Sequence, residues 1–342
     1  MSKMRNTVVI NVVGLSGKMI GDNTPNIQKL LKDGKYVPLE TVTPAVTCST
    51  QSSMLTGLLP CDHGVVGNGW YFKNLSEVWF WRQSNNLVKG EKVWEAGKNI
   101  SPEFTCANLF WWYNMYSSVD FSVTPRPMYP ADGRKIPDVY TYPDKLRSEL
   151  NQKLGTFPLF NFWGPKANII SSQWIEQSAY FVLSKYKPSL TLIYLPHLDY
   201  NLQRIGPDHP DMAFDLQKID NVCGSIIRYC KDNNYQIILL SEYAVHKVTG
   251  PVHINRILRE SSFIRVREEL GTEKLDPGAC KAFAVADHQI AHVYIKDSNN
   301  IPEIKKLLQQ VEGIDLVLDE EGKKKYGLDN ERSGDLVLLA DM

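Results

Sequence analysis

An excess of charge of either sign is missing from this 342-residue chain, in which Lys and Arg total 38 and Asp and Glu total 38. No general electrostatic pull toward a nucleic acid polymer or an anionic membrane is expected, so any positive field must be local. Paired cysteines are missing too. The six that occur, Cys48, Cys61, Cys106, Cys223, Cys230 and Cys280, form no Cys-x-x-Cys unit and no regular spacing. They read as reduced, mostly buried thiols in a reducing compartment. Apolar runs are short: Val8 to Leu15 is of strand length with no small-residue cleavage site, so no signal peptide is read there, and no run is long enough to span a membrane. The expected location is the cytoplasm, with no membrane partner. Repeats and low-complexity tracts are lacking as well, which argues against a solenoid.

What is present is a 43% apolar chain of a length that suits one elaborated α/β domain over residues 1–342. Thr7 to Gly14 is β-branched and nearly continuous, the pattern of a central strand covered on both faces. Thr24 is the expected cap of a helix with Pro25 at its first position, Ile27, Leu30 and Leu31 as its buried stripe and Gly34 at its end. Val37 to Thr43 is expected as a second strand, completing a βαβ-like start. Later come a helix over Ser172 to Ser184, a buried strand over Leu190 to Leu195, a long helix over Pro210 to Asn233 and a strand over Gln236 to Leu240. Val252 to Glu260 and Ile301 to Gln310 read as helices, Lys281 to Ala286 and Ala291 to Ile295 as paired strands, and Asp335 to Leu339 as the last strand. Asp199 and Glu242 each follow the carboxyl end of a predicted strand, where open α/β sheets gather ligands and a carboxylate can hold a cation.

Between Phe72 and Gly164 the pattern changes. Trp79, Trp81, Trp94, Phe110, Trp111, Trp112, Tyr113, Tyr116, Tyr129, Tyr140, Tyr142 and Trp163 crowd a region broken by Pro and Gly. Two readings stand together: a satellite core under long loops, and an inserted cap over residues 72–164 whose aromatic wall meets the substrate, with Arg126, Arg134 and Lys135 available for anionic oxygens.

The segment from Pro44 to Trp70 organises the rest. It sets Thr47 and Cys48 before an amphipathic segment, Gln51 to Leu55, ending at Thr56 and Gly57. A helix there would turn unpaired N–H groups toward an anion beside Thr47. The Gly-rich return from Pro60 to Gly69 would bring Asn68 back to the same place. Thr47, the Leu55-Thr56-Gly57-Leu58 run, Pro60, His63-Gly64 and Asn68 resemble the nucleophile block of the nucleotide pyrophosphatase/phosphodiesterase branch of the alkaline phosphatase superfamily. Tyr194 to Pro207 resembles the family's Asp-x-x-x-His metal segment, Ile237 to Glu242 the strand before its Ser-Asp-His motif, and Arg332 to Asp341 the strand close to its last metal histidine. The resemblance covers most of the chain. It implies a three-layer α/β/α sandwich with a central, mainly parallel sheet, and a metal-dependent phosphoric ester hydrolase of the phosphodiesterase kind acting on a small phosphate ester. It gives Thr47 the role of nucleophile and Asn68 that of donor to a phosphoryl oxygen, with the Cys48 N–H beside it. Cys48 is the alternative nucleophile, read as a packed thiol.

The departures fall on the metal ligands. The family has Asp at the end of the first strand, where this chain has Asn11-Val12-Val13-Gly14; Gln203 stands for the second-motif His, and Glu242-Tyr243 stand for Asp-His. The last His would be expected after Asp335 to Leu339, and the chain stops at Met342. The expected cofactor is one or two divalent ions, zinc with manganese as the alternative. Asp199, Glu242, Thr47 and Asn11 would hold them, with Asp287 and His288, His292 or His253 completing a rearranged site. His288 and His292 also read as structural or surface histidines, His253 as a helix cap and His63 as a fixer of loop geometry. The rival function is a catalytically degenerate relative that binds a phosphorylated metabolite or a protein partner. A sulfatase or phosphomutase relative would need Ser or a modified Cys/Ser-x-Pro-x-Arg context, which Thr47 lacks.

Overall fold

Thr7–Val12 runs through the interior of a six-stranded sheet in the computed structural model of the protein, which describes residues 5–341. It pairs in parallel with Leu190–Leu195 on one side and Gln236–Leu240 on the other. Every residue of Leu190–Leu195 is buried, as a strand covered on both faces requires. Beyond it lie Cys106–Leu109 and Phe121–Pro125, also parallel, and then Val139–Tyr142 as the one antiparallel edge. The fold is mixed α/β with a central, mostly parallel sheet.

The chain divides into two compact units. The first comprises residues up to Glu40, 83–86 and 91–247, and contains this sheet. Its long helices are Ile169–Tyr186, capped by Asn168 Oδ1 on the Ile170 N–H at 2.9 Å, and Met212–Asp232. Met212–Asp232 packs against Pro25–Lys32, Ile169–Tyr186 and His197–Ile205. Thr24 does not cap Pro25–Lys32 through its side chain. The buried Asp220 does so from the long helix, accepting from the Asn26 N–H at 3.0 Å and the Ile27 N–H at 2.9 Å, where a negative charge is favoured by the helix dipole.

Two expectations need correction. Val37 to Thr43 forms no strand: residues 35–42 have no regular structure, and Tyr36, Val37 and Leu39 are exposed. Both sides of the first strand are already paired, and Pro38 has no N–H for a ladder. Nor is the aromatic stretch simply a cap, because Cys106–Leu109, Phe121–Pro125 and Val139–Tyr142 within it are half of the main sheet. Trp94, Phe110, Trp111, Trp112 and Tyr113 are buried, whereas Tyr116, Tyr129, Tyr142 and Trp163 are exposed.

The second unit comprises residues 41–82, 87–90 and 248 onward. Its antiparallel sheet has the order Ala282–Asp287, Ile290–Ile295, Leu336–Ala340, Ile314–Leu318. One face packs under Ile254–Glu260 and Ile301–Leu308 through Leu258, Ala284, Val293, Ile304, Leu308 and Leu336. A hairpin of Gly69–Phe72 with Glu77–Phe80 completes it, together with Thr47–Thr56, a short turn of helix at Pro60–His63 and a second hairpin, Val266–Glu269 with Thr272–Leu275. Among the described residues no helix is long and apolar enough to cross a membrane.

Candidate functional site

In the second unit, the extended Val46 turns directly into the helix Thr47–Thr56, which Gly57 ends in the left-handed conformation at φ 71°. This helix is not amphipathic as expected. Residues Thr47 to Ser52 are all buried, and their hydroxyls return to the chain: Ser49 Oγ donates to the Pro44 carbonyl and Ser52 Oγ to the Cys48 carbonyl, each at 2.7 Å. Short polar side chains that satisfy the backbone locally can be buried without an apolar stripe. Thr47 is the first helical residue and 3% exposed, so its hydroxyl lies at the positive end of a buried helix dipole.

Asn68 is brought to this helix by the loop after His63. Its Oδ1 accepts from the Cys48 N–H at 3.0 Å. Its own backbone N–H and its Nδ2 donate to the two oxygens of Asp287, at 2.7 and 3.1 Å. The amide is therefore locked in one sense, oxygen on the helix and nitrogen on the acid, and one Nδ2 hydrogen remains beyond the Asp287 bond. A Cβ added to Gly67 would lie 3.2 Å from Asp287 Oδ2, so the missing side chain lets the loop approach the carboxylate. Burial pushes the Asp287 carboxyl up, while the two Asn68 donors and the His288 ring beside it pull it down less strongly.

Two residues expected here have partners that the sequence did not show. The Cys48 N–H, expected to face a phosphoryl oxygen, donates to Asn68 instead. Asp287, expected among the metal ligands, is the acceptor that orients Asn68; His288 Nε2 lies 3.7 Å from it with a half-exposed ring. His63 Nδ1 accepts from the Val65 N–H at 3.1 Å, and its Nε2 meets Ser53 Oγ at 2.9 Å. His292 is buried between the Val66 carbonyl and the Gly334 N–H. Burial pulls both of these rings down to about 4, so they are neutral structural groups. His253 stands at the start of Ile254–Glu260 with no side-chain capping bond. Arg332 holds the loop, donating from Nη1 to the Gly64 carbonyl at 2.8 Å and the Leu87 carbonyl at 2.6 Å, with its guanidinium 5.0 Å from the centre of the Trp70 ring. Sequence reasoning missed this part, although a cation beside the Ser333-Gly334 turn was its one available signal.

The first unit carries the strand-end acids. Gly14, at φ 80°, crosses so close to the segment after Leu190–Leu195 that a Cβ there would lie 3.8 Å from the Asp199 Cα and 2.5 Å from Leu202 Cδ1. Asn11, fully buried on the first strand, donates from Nδ2 to Glu242 Oε1 at 2.6 Å. Asp199 lies in the first turn of His197–Ile205, and Gln203 follows one turn later on the same face. Gln203 Nε2 donates to Asp199 Oδ2 at 2.7 Å, and the Tyr243 hydroxyl to Asp199 Oδ1 at 3.0 Å. Tyr194 is raised well above a normal phenol, first by burial and then by the charges of Glu242 and Asp199.

This donor set does not fit the expected ions. Asn11, Gln203 and Tyr243 are neutral groups aimed as donors at the carboxylates, whereas a zinc site of this kind needs imidazole and carboxylate lone pairs converging on one point. Among the described residues no group of three or more His, Cys, Asp and Glu side chains could hold a metal ion. Of the cationic side chains expected to meet substrate, Arg126 lines a cavity of about 560 Å³ with Tyr129, Asp138, Tyr140 and Arg147. Arg147 is tied to Asp138 at 2.6 Å. Arg134 instead pairs with Asp132 at 2.7 Å, and Lys135 is exposed.

Comparison with known proteins gives a consistent picture. The sequence pattern of the type I phosphodiesterase/nucleotide pyrophosphatase family matches residues 7–342. An uncharacterized pyrophosphatase/phosphodiesterase of Schizosaccharomyces pombe is 25% identical over 241 residues, 69% of this chain and 42% of that protein. Rat ectonucleotide pyrophosphatase/phosphodiesterase family member 1 is 22% identical over 257 residues, 72% of this chain and 24% of its own length. The chain thus spans between about a quarter and less than half of the curated relatives it matches. Among solved structures, phosphonoacetate hydrolase from Sinorhizobium meliloti with phosphonoformate aligns at TM-score 0.68 and 16% identity, over 99% of this chain and 81% of that one. Murine ectonucleotide pyrophosphatase/phosphodiesterase 5 aligns at 0.66 and 15%, over 98% and 79%.

Proposed function

The chain belongs to the type I phosphodiesterase/nucleotide pyrophosphatase family, and from that premise we propose that it is a phosphoric ester hydrolase acting on small phosphate esters through Thr47. The observation that carries this reading is the lock on Asn68: an amide fixed between the Cys48 N–H and Asp287 beside the first residue of a buried helix. Such an amide needs no reorganisation to donate to a phosphoryl oxygen, which is what electrostatic preorganisation requires. The helix N-terminus favours the same negative charge.

In this reading Thr47 Oγ bonds to phosphorus as the bond to the ester oxygen breaks, the hydroxyl proton ending on the departing alcohol, and water then cleaves the phosphothreonine to the free phosphomonoester and restores the hydroxyl. Asn68 donates to a nonbridging oxygen. Asp287 and Arg332 act on the reaction only by holding Asn68 and its loop. An inactive threonine-to-alanine form of murine ectonucleotide pyrophosphatase/phosphodiesterase 5 was solved with AMP, a parallel for the role given to Thr47 and for a nucleoside monophosphate as the class of ligand. With charge balanced along the chain, a small molecule rather than a nucleic acid polymer is the substrate, and six cysteines outside any disulfide suit the cytoplasm.

The test is hydrolysis of bis(p-nitrophenyl) phosphate by the full chain with Thr47→Ala and Asn68→Ala beside it, and mass spectrometry of acid-quenched protein for phosphate on Thr47. Turnover lost in both variants, with the trapped phosphothreonine, supports the reading. Turnover retained by Thr47→Ala refutes it. The second reading, a catalytically degenerate member that binds a phosphorylated metabolite or a protein partner, is favoured by the neutral donors at Asp199 and Glu242. It predicts AMP binding, or capture of a protein, without turnover.

A further inference from the structure

The strand-end acids of the first unit raise a question that the Thr47 reading leaves open: what occupies the place of the ions. We propose that Asn11, Gln203 and Tyr243 form a hydrogen-bonded closure that replaces the divalent metals of the family, so that this chain holds its phosphate ester without a resident cation. The proposal rests on family membership for the position of the replaced ligands, and on the geometry for their replacement.

Each of the three donors comes from a different part of the chain and reaches a carboxylate by a different route. Asn11 crosses from the first strand to Glu242 Oε1 at 2.6 Å. Gln203 reaches Asp199 Oδ2 at 2.7 Å from one turn along the same helix, and Tyr243 reaches Asp199 Oδ1 at 3.0 Å from the segment after Gln236–Leu240. Both oxygens of Asp199 therefore face a hydrogen. The substitutions are matched in chemistry as well as position. An imidazole offers a lone pair to a metal, whereas a primary amide nitrogen and a phenol offer hydrogens to a carboxylate. A carboxylate that lost its metal with no such donors would be left with a charge poorly matched to a half-buried site. Here donors meet both oxygens of Asp199 and Oε1 of Glu242.

The replacement separates ligand binding from metal. In a metal site the cation offsets the carboxylates; in the closure the donors offset them.

The experiment uses the full chain purified without chelator. Elemental analysis is expected to find no stoichiometric zinc or manganese, and thermal unfolding is expected to be the same with EDTA, with zinc and with neither. A ligand that binds only the folded state must shift that midpoint, so stoichiometric zinc together with a rise that Asp199→Ala abolishes would overturn the proposal. Tyr243→Phe is expected to lower the midpoint by removing one donor; no change would refute the closure. The double variant Gln203→His with Tyr243→His is expected to gain a zinc-dependent rise in midpoint, and its absence would show that these two donors are not what replaces the ion. None of these readouts uses turnover. A metal-free protein that fails to hydrolyse diesters therefore supports the closure and defeats the hydrolase reading, while a zinc-loaded active protein does the reverse.

Discussion

Replacement of Asp287 by Asn is the sharpest perturbation of the Thr47 cluster, because it keeps size and shape while reversing half of the hydrogen-bonding sense. The carboxylate accepts two bonds from Asn68, at 2.7 and 3.1 Å, in a place where it is 7% exposed. Bonds to a charged acceptor contribute roughly 1.5–3 kcal/mol each, a gross of about 3–6 kcal/mol for the pair. Burial raises the Asp287 carboxyl despite those bonds, so removing its charge recovers part of that sum. An Asn at 287 can accept from one Asn68 donor and must set its own amide hydrogens against the other. The net expectation is a loss of about 2–3 kcal/mol of stability in the second unit, measured as a shift of its urea midpoint at constant m-value. With Asn68 no longer locked, kcat/KM toward bis(p-nitrophenyl) phosphate is expected to fall about tenfold to a hundredfold, through loss of a fixed donor to the transition state. His288→Ala is the control. Its ring is half exposed, and its removal should change stability by less than about 0.5 kcal/mol. A urea midpoint and a kcat/KM both unmoved in Asp287→Asn would refute the claim that this carboxylate positions Asn68.

Thr47→Ala should lower turnover by about a thousandfold or more if Thr47 is the nucleophile, while changing stability by less than about 1 kcal/mol; steady-state rates and urea titration separate the two. His63, His197 and His292 are each pulled down to about 4 by burial, against about 6.5 in an unfolded chain. The unfolded chain thus binds more protons between those values, and stability present above about pH 6.5 is lost as pH falls toward 4, by about 1.4 kcal/mol per pH unit for each ring. Urea midpoints across that range should fall with acid and flatten once His63 and His292 are replaced by Gln; an acid limb unchanged in that double variant would count against buried neutral rings as its cause. Gly14→Ala should destabilise the first unit by about 1–2 kcal/mol, since it adds left-handed strain to a Cβ lying 2.5 Å from Leu202 Cδ1; a protein of wild-type midpoint would contradict the close approach.

Local pattern determined a good deal here. The unbroken apolar runs at Thr7–Val12 and Leu190–Leu195 announced buried parallel strands because strands covered on both faces have no reason to alternate. The block from Thr47 to Asn68 carried the family, and the same segment joins helix start, glycine end and returning loop within a few dozen residues, where sequence distance is short enough to read. The departures at Asn11, Gln203 and Tyr243 were equally visible. Chemistry at long separation was not. Nothing near residue 24 says that Asp220, almost two hundred positions away, caps the first helix in place of Thr24. Val37 to Thr43 had strand composition, but both sides of the first strand are taken by Leu190–Leu195 and Gln236–Leu240, and only the sheet order reveals that. Asp287 reads as a metal ligand in isolation; the hairpin register that delivers it to Asn68 makes it an acceptor. Likewise, three substitutions that look like separate losses become a closure once Asn11 faces Glu242 and both Gln203 and Tyr243 face Asp199. A residue's donors and acceptors are set by its side chain, and are therefore legible in sequence. Which of them meet is decided by packing, since a hydrogen bond reaches only about 3 Å and the chain brings its partners together only when folded.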